Sequence, residues 1–396
     1  MKQLIIFAAT ATLALTAASQ SIYYQDHDNR DMARHTLRNE SMRHEFVIPK
    51  VEGYTVLKAD LHCHTVYSDA STTPEYRVLE AWTDGLDVLA ITDHVEYRRW
   101  EPTMLKFLKG YLPADTKAVN HNVIDKAADN TGILADLNVP YLAAQKEAEN
   151  YGITIIPGAE ITRSPETIGH YNALFVDDAN TIYDADPAQS MRNARAQGAL
   201  IMHNHPGWRR KSLEMTEFEK QVYAEHLIDG VEIMNGSEFY PTVVKRAKEN
   251  GFFMAANTDI HRTTAVDYGM QGHQRNMTLI LATDNSPVAI KDALKARRTL
   301  AYSFGTIAGD EALVEALFRA CVKFEVFKVD NKGRRHVRMV NNSSLHFILN
   351  FGGNPQRLNP FSSRNITSQP DGTISVTVDN LFVPTEAQHP TYIIKL

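Results

Sequence analysis

Two textures alternate through the middle of this chain: short apolar runs, and longer stretches where apolar positions recur every three or four residues. The first predict strands and the second helices. In order, the pattern predicts a strand over Leu57–His64, a helix over Pro74–Asp84 opened by its proline, and a strand over Leu86–Thr92 that runs into Asp93-His94. An irregular, partly helical stretch follows from about Arg98 to Pro140. Next come a helix over Tyr141–Tyr151 and a buried strand over Ile153–Ile156 leading into Pro157-Gly158-Ala159-Glu160. The series continues with strand His170–Val176, helix Pro187–Gln197, strands Ala199–Met202 and Val231–Met234, and helix Pro241–Asn250. Strands Phe252–Ala256, Met277–Leu281 and Thr299–Ser303, with a helix over Ala289–Arg298, complete it. Apolar strands spaced by helices predict an α/β fold with a parallel sheet covered on its outside. The number of units in about 250 residues suits a (β/α) barrel.

After Gly309 the texture changes. A helix near Glu311–Ala320 leads into short alternating runs at Lys323–Val329, Arg335–Val340, Leu345–Asn350, Ile374–Val378 and Tyr392–Lys395. Asn-Lys-Gly, Asn-Asn-Ser-Ser and Pro-Asp-Gly turns separate them, so residues 309–396 are expected to form a small antiparallel β domain, sandwich-like. It gathers no cluster of His, Asp or Glu and is assigned no chemistry. At the other end, Lys2, the apolar run Leu4–Leu15 and the small residues Thr16-Ala17-Ala18-Ser19 predict a signal peptide over residues 1–19. The run is too short for a permanent membrane anchor, so a periplasmic or secreted protein is expected. Residues 20–50 are polar and lack periodicity, which predicts a leader segment lying on the surface. The barrel is then expected over residues 51–308, with an insertion at about 98–140.

Composition narrows the function. With 43% hydrophobic and 22% charged residues in 396, this is an ordinary globular chain. A net charge of −6 offers no basic field for a nucleic-acid duplex. Two cysteines, Cys63 and Cys321, supply no disulfide framework. Histidine is the unusual component: of 16 in all, His62, His64, His94, His170, His203, His205 and His261 fall in or just after predicted strands. Strand alternation puts His62 and His64 on one face and Cys63 on the other.

Adding the carboxylates near strand ends gives nine candidate metal ligands: His62, His64, Asp69, His94, Glu160, His170, His205, Asp259 and His261. Each alone has an ordinary explanation. Asp259 suits a helix cap, Glu160 a strand-end carboxylate, His170 a core histidine and His205 a turn before Pro206. Their joint placement favours a site. Imidazole and carboxylate without thiolate suit Zn, Mn or Fe. Nine donors exceed a single tetrahedral site, which predicts two or three divalent ions with Glu160 the first choice of bridge.

The motifs His62-Cys63-His64-Thr65-x-x-Ser68-Asp69, Ala90-Ile91-Thr92-Asp93-His94, Gly158-Ala159-Glu160, Gly169-His170, His205-Pro206 and Asp259-Ile260-His261 resemble, in order, those of the PHP (polymerase and histidinol phosphatase) superfamily. The resemblance covers about residues 57 to 305. It implies a distorted (β/α)7 barrel, a trinuclear centre of zinc, manganese or iron, and phosphoester hydrolysis. By the family's pattern His62, His64, Glu160 and Asp259 hold one ion, and Asp69, His94, His170, His205 and His261 divide between the others. Three features depart from that pattern: the long stretch Arg98–Pro140, expected to cap the site, the export signal, and the β domain. Together they resemble the family's secreted phosphodiesterase-type branch.

The expected function is therefore an exported metal-dependent hydrolase of small-molecule phosphoesters, a phosphodiesterase by preference. A hydroxide bridging the metals would attack phosphorus while the ions neutralise the phosphoryl oxygens. Arg163, Arg262 and one of Arg209 or Arg210 are candidates to hold those oxygens, because a guanidinium matches phosphate as a fork. For Arg210, in its Arg-Arg-Lys run, a solvated face is the simpler reading. His203, predicted to share a face with His205, either binds substrate or supports a ligand, and Asp93 is expected to orient the His94 imidazole. Trp208 and Tyr97 are candidates to stack on an aromatic leaving group. Two alternatives stand: an amide, ester or carbamate hydrolase on the same scaffold, and a non-catalytic metal- or ligand-binding protein. The oligomeric state is not legible.

Overall fold

The computed structural model describes residues 23–25, 28–35, 43–97 and 136–396. The expected signal peptide and most of the expected cap, residues 98–135, lie outside the described residues. Within a first unit, residues 1–42, strands β1 (Tyr23–Gln25) and β2 (Ala33–His35) form an antiparallel pair. Residues 43–396 form the second unit.

That unit opens with β3 (Thr55–Asp60), α1 (Pro74–Thr83), β4 (Val88–Ile91), α2 (Val139–Ala148), β5 (Thr154–Arg163) and β6 (Gly169–Leu174). It continues through α3 (Pro187–Ala196), β7 (Leu200–His203), α4 (Glu217–Ala224), β8 (Gly230–Asn235), β9 (Glu238–Phe239), α5 (Pro241–Asn250) and β10 (Phe253–Asn257). Then come β11 (Met277–Ala282), α6 (Pro287–Lys295), β12 (Thr299–Ser303), β13 (Thr306–Gly309) and α7 (Glu311–Cys321). The helices start where side chains satisfy the first free N–H groups: Thr73, Asp186 and Ser286 accept from Tyr76, Ala188 and Ala289, each beside a proline in the first turn. Helix α4, which the apolar pattern does not predict, is opened by a reciprocal capping box between Thr216 and Glu219.

The strands make one mixed sheet in the order β10-β8-β7-β6-β5-β4-β3-β11-β12-β13, with β9 on β8. It curls into a distorted barrel. The predicted parallel arrangement holds for β3–β4–β5 and for β7–β8–β10, but β6 is antiparallel to both neighbours and β11 is antiparallel to β3. For β6 the cause is connection length. Residues 164–168 between β5 and β6 hold no helix to carry the chain back, so the strand returns as a hairpin. Where β10 faces β11 and β12, hydroxyls bridge the seam: Thr299 Oγ1 accepts from the Met254 N–H (3.1 Å) and Thr278 Oγ1 accepts from the Ala256 N–H (3.0 Å). Leu61, Ile156, Met202, Phe253 and Ile280 fill the interior, and an outer apolar layer lies between sheet and helices.

The C-terminal strands are β14 (Val322–Val329), β15 (Arg335–Asn341), β16 (Phe347–Asn350), β17 (Pro355–Leu358), β18 (Ser363–Thr367), β19 (Thr373–Val378), β20 (Leu381–Phe382) and β21 (Thr391–Lys395). They form sheets β14-β15-β18 and β17-β16-β19-β21, while β20 crosses to pair parallel with β13 of the barrel sheet. Phe318 on α7 stacks on Tyr392 (5.1 Å) and meets Phe347 edge-on (5.3 Å). Leu300, Ile307, Phe318 and Phe347 belong to one continuous apolar cluster.

Residues 43–50, the end of the segment expected to lie on the surface, are packed instead. Phe46 is buried against Tyr302 (5.5 Å), and Arg43 donates to the carbonyls of Trp82 and Leu86 while pairing with Asp87 (3.1 Å). Ile48 packs on the same apolar cluster, and the Val47 N–H donates to Ser344 Oγ (2.9 Å). Among the described residues, no helix is long and apolar enough to cross a membrane.

Candidate metal centre

Strand β3 stops at Asp60, two residues before the first candidate ligand, and the segment beyond it is held by side chains. Asp60 accepts from the backbone N–H groups of His62 and Thr258 (3.2 Å each) and pairs with buried Arg275. The Cys63 backbone bridges to Ile260, and the Asp259 N–H donates to the His62 carbonyl (3.0 Å). Asp93, expected to orient His94, instead accepts from the Thr65 N–H and hydroxyl (2.7 Å each) and the Ser68 hydroxyl (2.5 Å). It thereby fixes the turn that presents Asp69. Both cysteines are buried and free.

The structure brings all nine candidate ligands to one rim of the barrel. Their donor atoms fall into four overlapping groups, each within 4.8 Å: His62–His64–Glu160, His62–His205–Asp259, His64–Asp69–His94–His261 and Glu160–His170–His205. His170 reaches this rim from the start of β6 because that strand runs backwards. Glu160 lies within β5, not after it, and is central. Its Oε1 is 3.5 Å from His62 Nε2, 3.3 Å from His170 Nδ1 and 3.7 Å from His205 Nε2. Its Oε2 is 2.6 Å from His94 Nδ1 and 3.5 Å from His64 Nε2. Asp259 Oδ1 stands 3.2 Å from His62 Nε2 and 3.1 Å from His64 Nε2, and Asp69 Oδ2 3.2 Å from His261 Nε2. Asp259 and His205 hold left-handed backbone (φ 52 and 24), a strained arrangement found where a site demands a particular direction.

Electrostatics follow from burial in a shared site. Burial alone would raise the Glu160 carboxyl, but His94, His62 and His170 outweigh it and hold Glu160 well below the usual carboxylate range. Asp259 is likewise lowered, its burial overcome first by His62 and His64. Burial, then His261 and His94, pushes His64 down to about 4. Burial disfavours the charged form of His62 too, yet Asp259, Glu232 and Glu160 raise it well above its ordinary value.

The donor set fits divalent ions. Glu160 Oε2 is buried with only the His94 and His64 rings close to it, and His62 Nε2 faces His64 Nε2 at 3.0 Å. Imidazole nitrogens turned on one another around a buried carboxylate make the donor set that a divalent cation takes. The grouping places His64 with Asp69, His94 and His261, and His62 with His205 and Asp259, as well as the two together with Glu160, so the pair expected to share one ion reaches three groups.

Two further residues complete the centre. Glu232 on β8 is fully buried. It accepts from His62 Nδ1 (2.9 Å), the His205 N–H (2.7 Å), and the side-chain amides of Asn235 and Asn257 (2.9 Å each). Asn204 donates to Glu160 Oε1 (2.8 Å). The signal for Glu232 was a carboxylate inside the apolar run Val231–Met234; for Asn204 the sequence offered little.

A cavity of about 600 Å³ opens over the ligands, walled by Tyr97, Thr162, Trp208 and Arg209 among others. The candidate substrate-binding residues divide around it. Arg163 lines it, but its guanidinium is consumed by Glu96, the carbonyls of Thr162 and Asp184, and Ser190. Arg262 lies outside the lining, exposed and paired with Asp267, and Arg210 is bound to Glu219. His203 also lies outside it, stacked on Tyr171 (4.9 Å) with Nδ1 2.9 Å from Tyr223 Oη. Strand β7 ends at His203, and the left-handed turn at His205 breaks the alternation expected to align them. Arg209 lines the cavity with its guanidinium over Trp208 (4.3 Å) and makes no ion pair among the described residues. Trp208 stands 5.1 Å from His170 and Tyr97 5.6 Å from His94.

Comparison with known proteins agrees with this geometry. The model of the PHP domain family matches residues 60–236. A two-domain protein from Bacteroides vulgatus, described as containing a predicted PHP-like metal-dependent phosphoesterase, is 28% identical with a TM-score of 0.76, covering 89% of this chain and 99% of its own. An amidohydrolase from Chromobacterium violaceum aligns at 14% identity and a TM-score of 0.36, over 60% of this chain and 96% of its own. The lesion-specific endonuclease Q from Pyrococcus furiosus aligns at 15% and 0.39, over 69% and 62%. No curated protein matches. The family model on residues 60–236 and the two-domain likeness along nearly the whole chain together support a PHP-type metallohydrolase.

Proposed function

We propose that this chain is a metal-dependent phosphoester hydrolase that acts by preference on small phosphodiesters. The observation that carries the reading is the convergence of nine imidazole and carboxylate donors beneath one open cavity, with Glu160 shared among them. Divalent ions in such a set supply an acidified water as nucleophile and neutralise charge on phosphoryl oxygens. The chain's own groups supply the rest. Glu232 and Asn204 fix the His62 and Glu160 side chains that would hold the ions, and Arg209 offers a guanidinium at the cavity wall for a phosphoryl oxygen. Tyr97 beside His94 and Trp208 beside His170 line the cavity next to the donor set. Two aromatic wall residues suit a phosphorus bearing organic substituents, which favours a diester over a monoester. The described phosphoesterase content of the Bacteroides vulgatus relative supports the same class.

Turnover of an aryl phosphodiester, an aryl phosphomonoester and an aryl carboxyl ester by the purified protein tests this, with the diester expected fastest and the carboxyl ester inert. His62→Ala and Asp259→Asn should each lower diester turnover by about 100-fold or more; full activity in both rejects the site. Fewer than two ions per chain by metal analysis would count against a multinuclear centre. Export belongs to the same proposal, supported by the charge–apolar–small order of residues 1–19. N-terminal sequencing of the mature protein should then begin near residue 20.

A further inference from the structure

Helix α1 points a buried arginine at the centre from behind. Arg77 is 1% exposed, and its guanidinium spans two separate segments of chain. Nε donates to the His64 carbonyl (2.9 Å), Nη2 to the Ile260 carbonyl (3.0 Å), and Nη1 to the Arg262 carbonyl (2.6 Å) and to Glu80 Oε2 (2.8 Å). Glu80 in turn accepts the Thr264 N–H through its other oxygen (2.6 Å). One segment follows β3 and carries His64 and Asp69; the other follows β10 and carries Asp259 and His261.

Strands β3 and β10 are not hydrogen-bonded neighbours in the sheet. Past the strand ends their ligand segments are joined by backbone bonds, Cys63 with Ile260 and Asp259 with His62, and by Arg77, which links the His64 carbonyl of one to the Ile260 and Arg262 carbonyls of the other. A buried guanidinium is costly unless its donors and charge are met. Here Glu80 meets the charge, and three donors go to carbonyls at or beside ligand residues. Only a planar fork reaches three such acceptors at once; a lysine ammonium on one stem does not.

We infer that Arg77 is a positioning residue for one metal subsite, the His64–Asp69–His94–His261 group. Three of that group's four ligands lie on the two segments it ties. The Glu160–His170–His205 group stands on β5, β6 and the turn after β7, which Arg77 does not touch, so the effect of losing it is selective. The inference rests on the metal reading of the donor set.

The test is titration of chelator-stripped protein with Mn²⁺ alone, followed by calorimetry and by the electron paramagnetic resonance signal of bound Mn²⁺. Relative to the wild-type chain, Arg77→Met should weaken one ion by about 10-fold or more, leaving the ion of the Glu160–His170–His205 group at wild-type affinity. All ions bound as in the wild type, or all weakened alike, overturns the inference. Should Arg77→Met fail to fold, Glu80→Gln decides the matter, since it keeps the arginine but leaves one carbonyl oxygen to serve both Arg77 and Thr264; the same selective weakening is expected. A wild-type chain that binds no Mn²⁺ would instead defeat the reading of the centre itself.

Discussion

Glu232 sits inside a strand whose other side chains are buried, where an isolated carboxylate would be strongly disfavoured. Four hydrogen bonds compensate it, and two reach candidate ligands: the His62 ring and the His205 backbone. By holding His62 Nδ1 it leaves Nε2 as the nitrogen facing the centre. Glu232→Ala leaves that ring unanchored and the two asparagine amides without their acceptor. Metal affinity should fall by about 10- to 100-fold, with a parallel loss of kcat/KM. Glu232→Gln, which keeps the shape and one acceptor, should fall between it and the wild type. Equal metal affinity in all three would remove Glu232 from the centre. Arg163 teaches the converse at the same scale. Its place in the sequence suggested phosphate binding, but a guanidinium already meeting Glu96, Ser190 and two carbonyls has few donors left for substrate.

At the scale of elements, what was legible depended on how strongly a local pattern was enforced. Helix Pro241–Asn250 and strand Thr299–Ser303 match their sequence bounds because proline, glycine or apolar runs mark both ends. Strand direction was not legible, since a buried strand has the same apolar pattern whichever way it runs; the reversal of β6 is set by a five-residue connection. Strands β17 and β18 escaped notice because their side chains are mostly exposed, which leaves no alternation to read. Helix α4 was marked by Thr216 and Glu219, a signal of capping and not of periodicity. Most of the nine ligands were legible because they lie at or just past the end of an apolar run, where polar residues interrupt the texture. Glu232, Asn204 and Arg77 were not, for each lies within or beside an element whose pattern explains it without chemistry. The alignment of His203 with His205 failed for a backbone reason, a positive φ at a non-glycine residue.

For the whole molecule the question is whether the C-terminal sheets are an addition to the barrel or part of its core. Strand β20 hydrogen-bonds to β13, and the cluster around Phe318 joins barrel residues such as Leu300 and Ile307 to Phe347 and Tyr392 beyond them. An interface that is a shared core, not a polar seam, couples the unfolding of its two sides. Residues 43–396 should therefore lose structure in one transition under urea, with Trp82 and Trp208 fluorescence reporting the barrel and far-ultraviolet circular dichroism reporting the whole. Phe318→Ala, which empties a fully buried ring site on α7, should cost about 3–5 kcal/mol and move both signals together. If the circular dichroism shifted while the tryptophan transition stayed at its wild-type midpoint, the sheets would be an independent domain. Coincident shifts would mean that the rim holding the metal ligands draws part of its rigidity from β strands that carry no ligand at all.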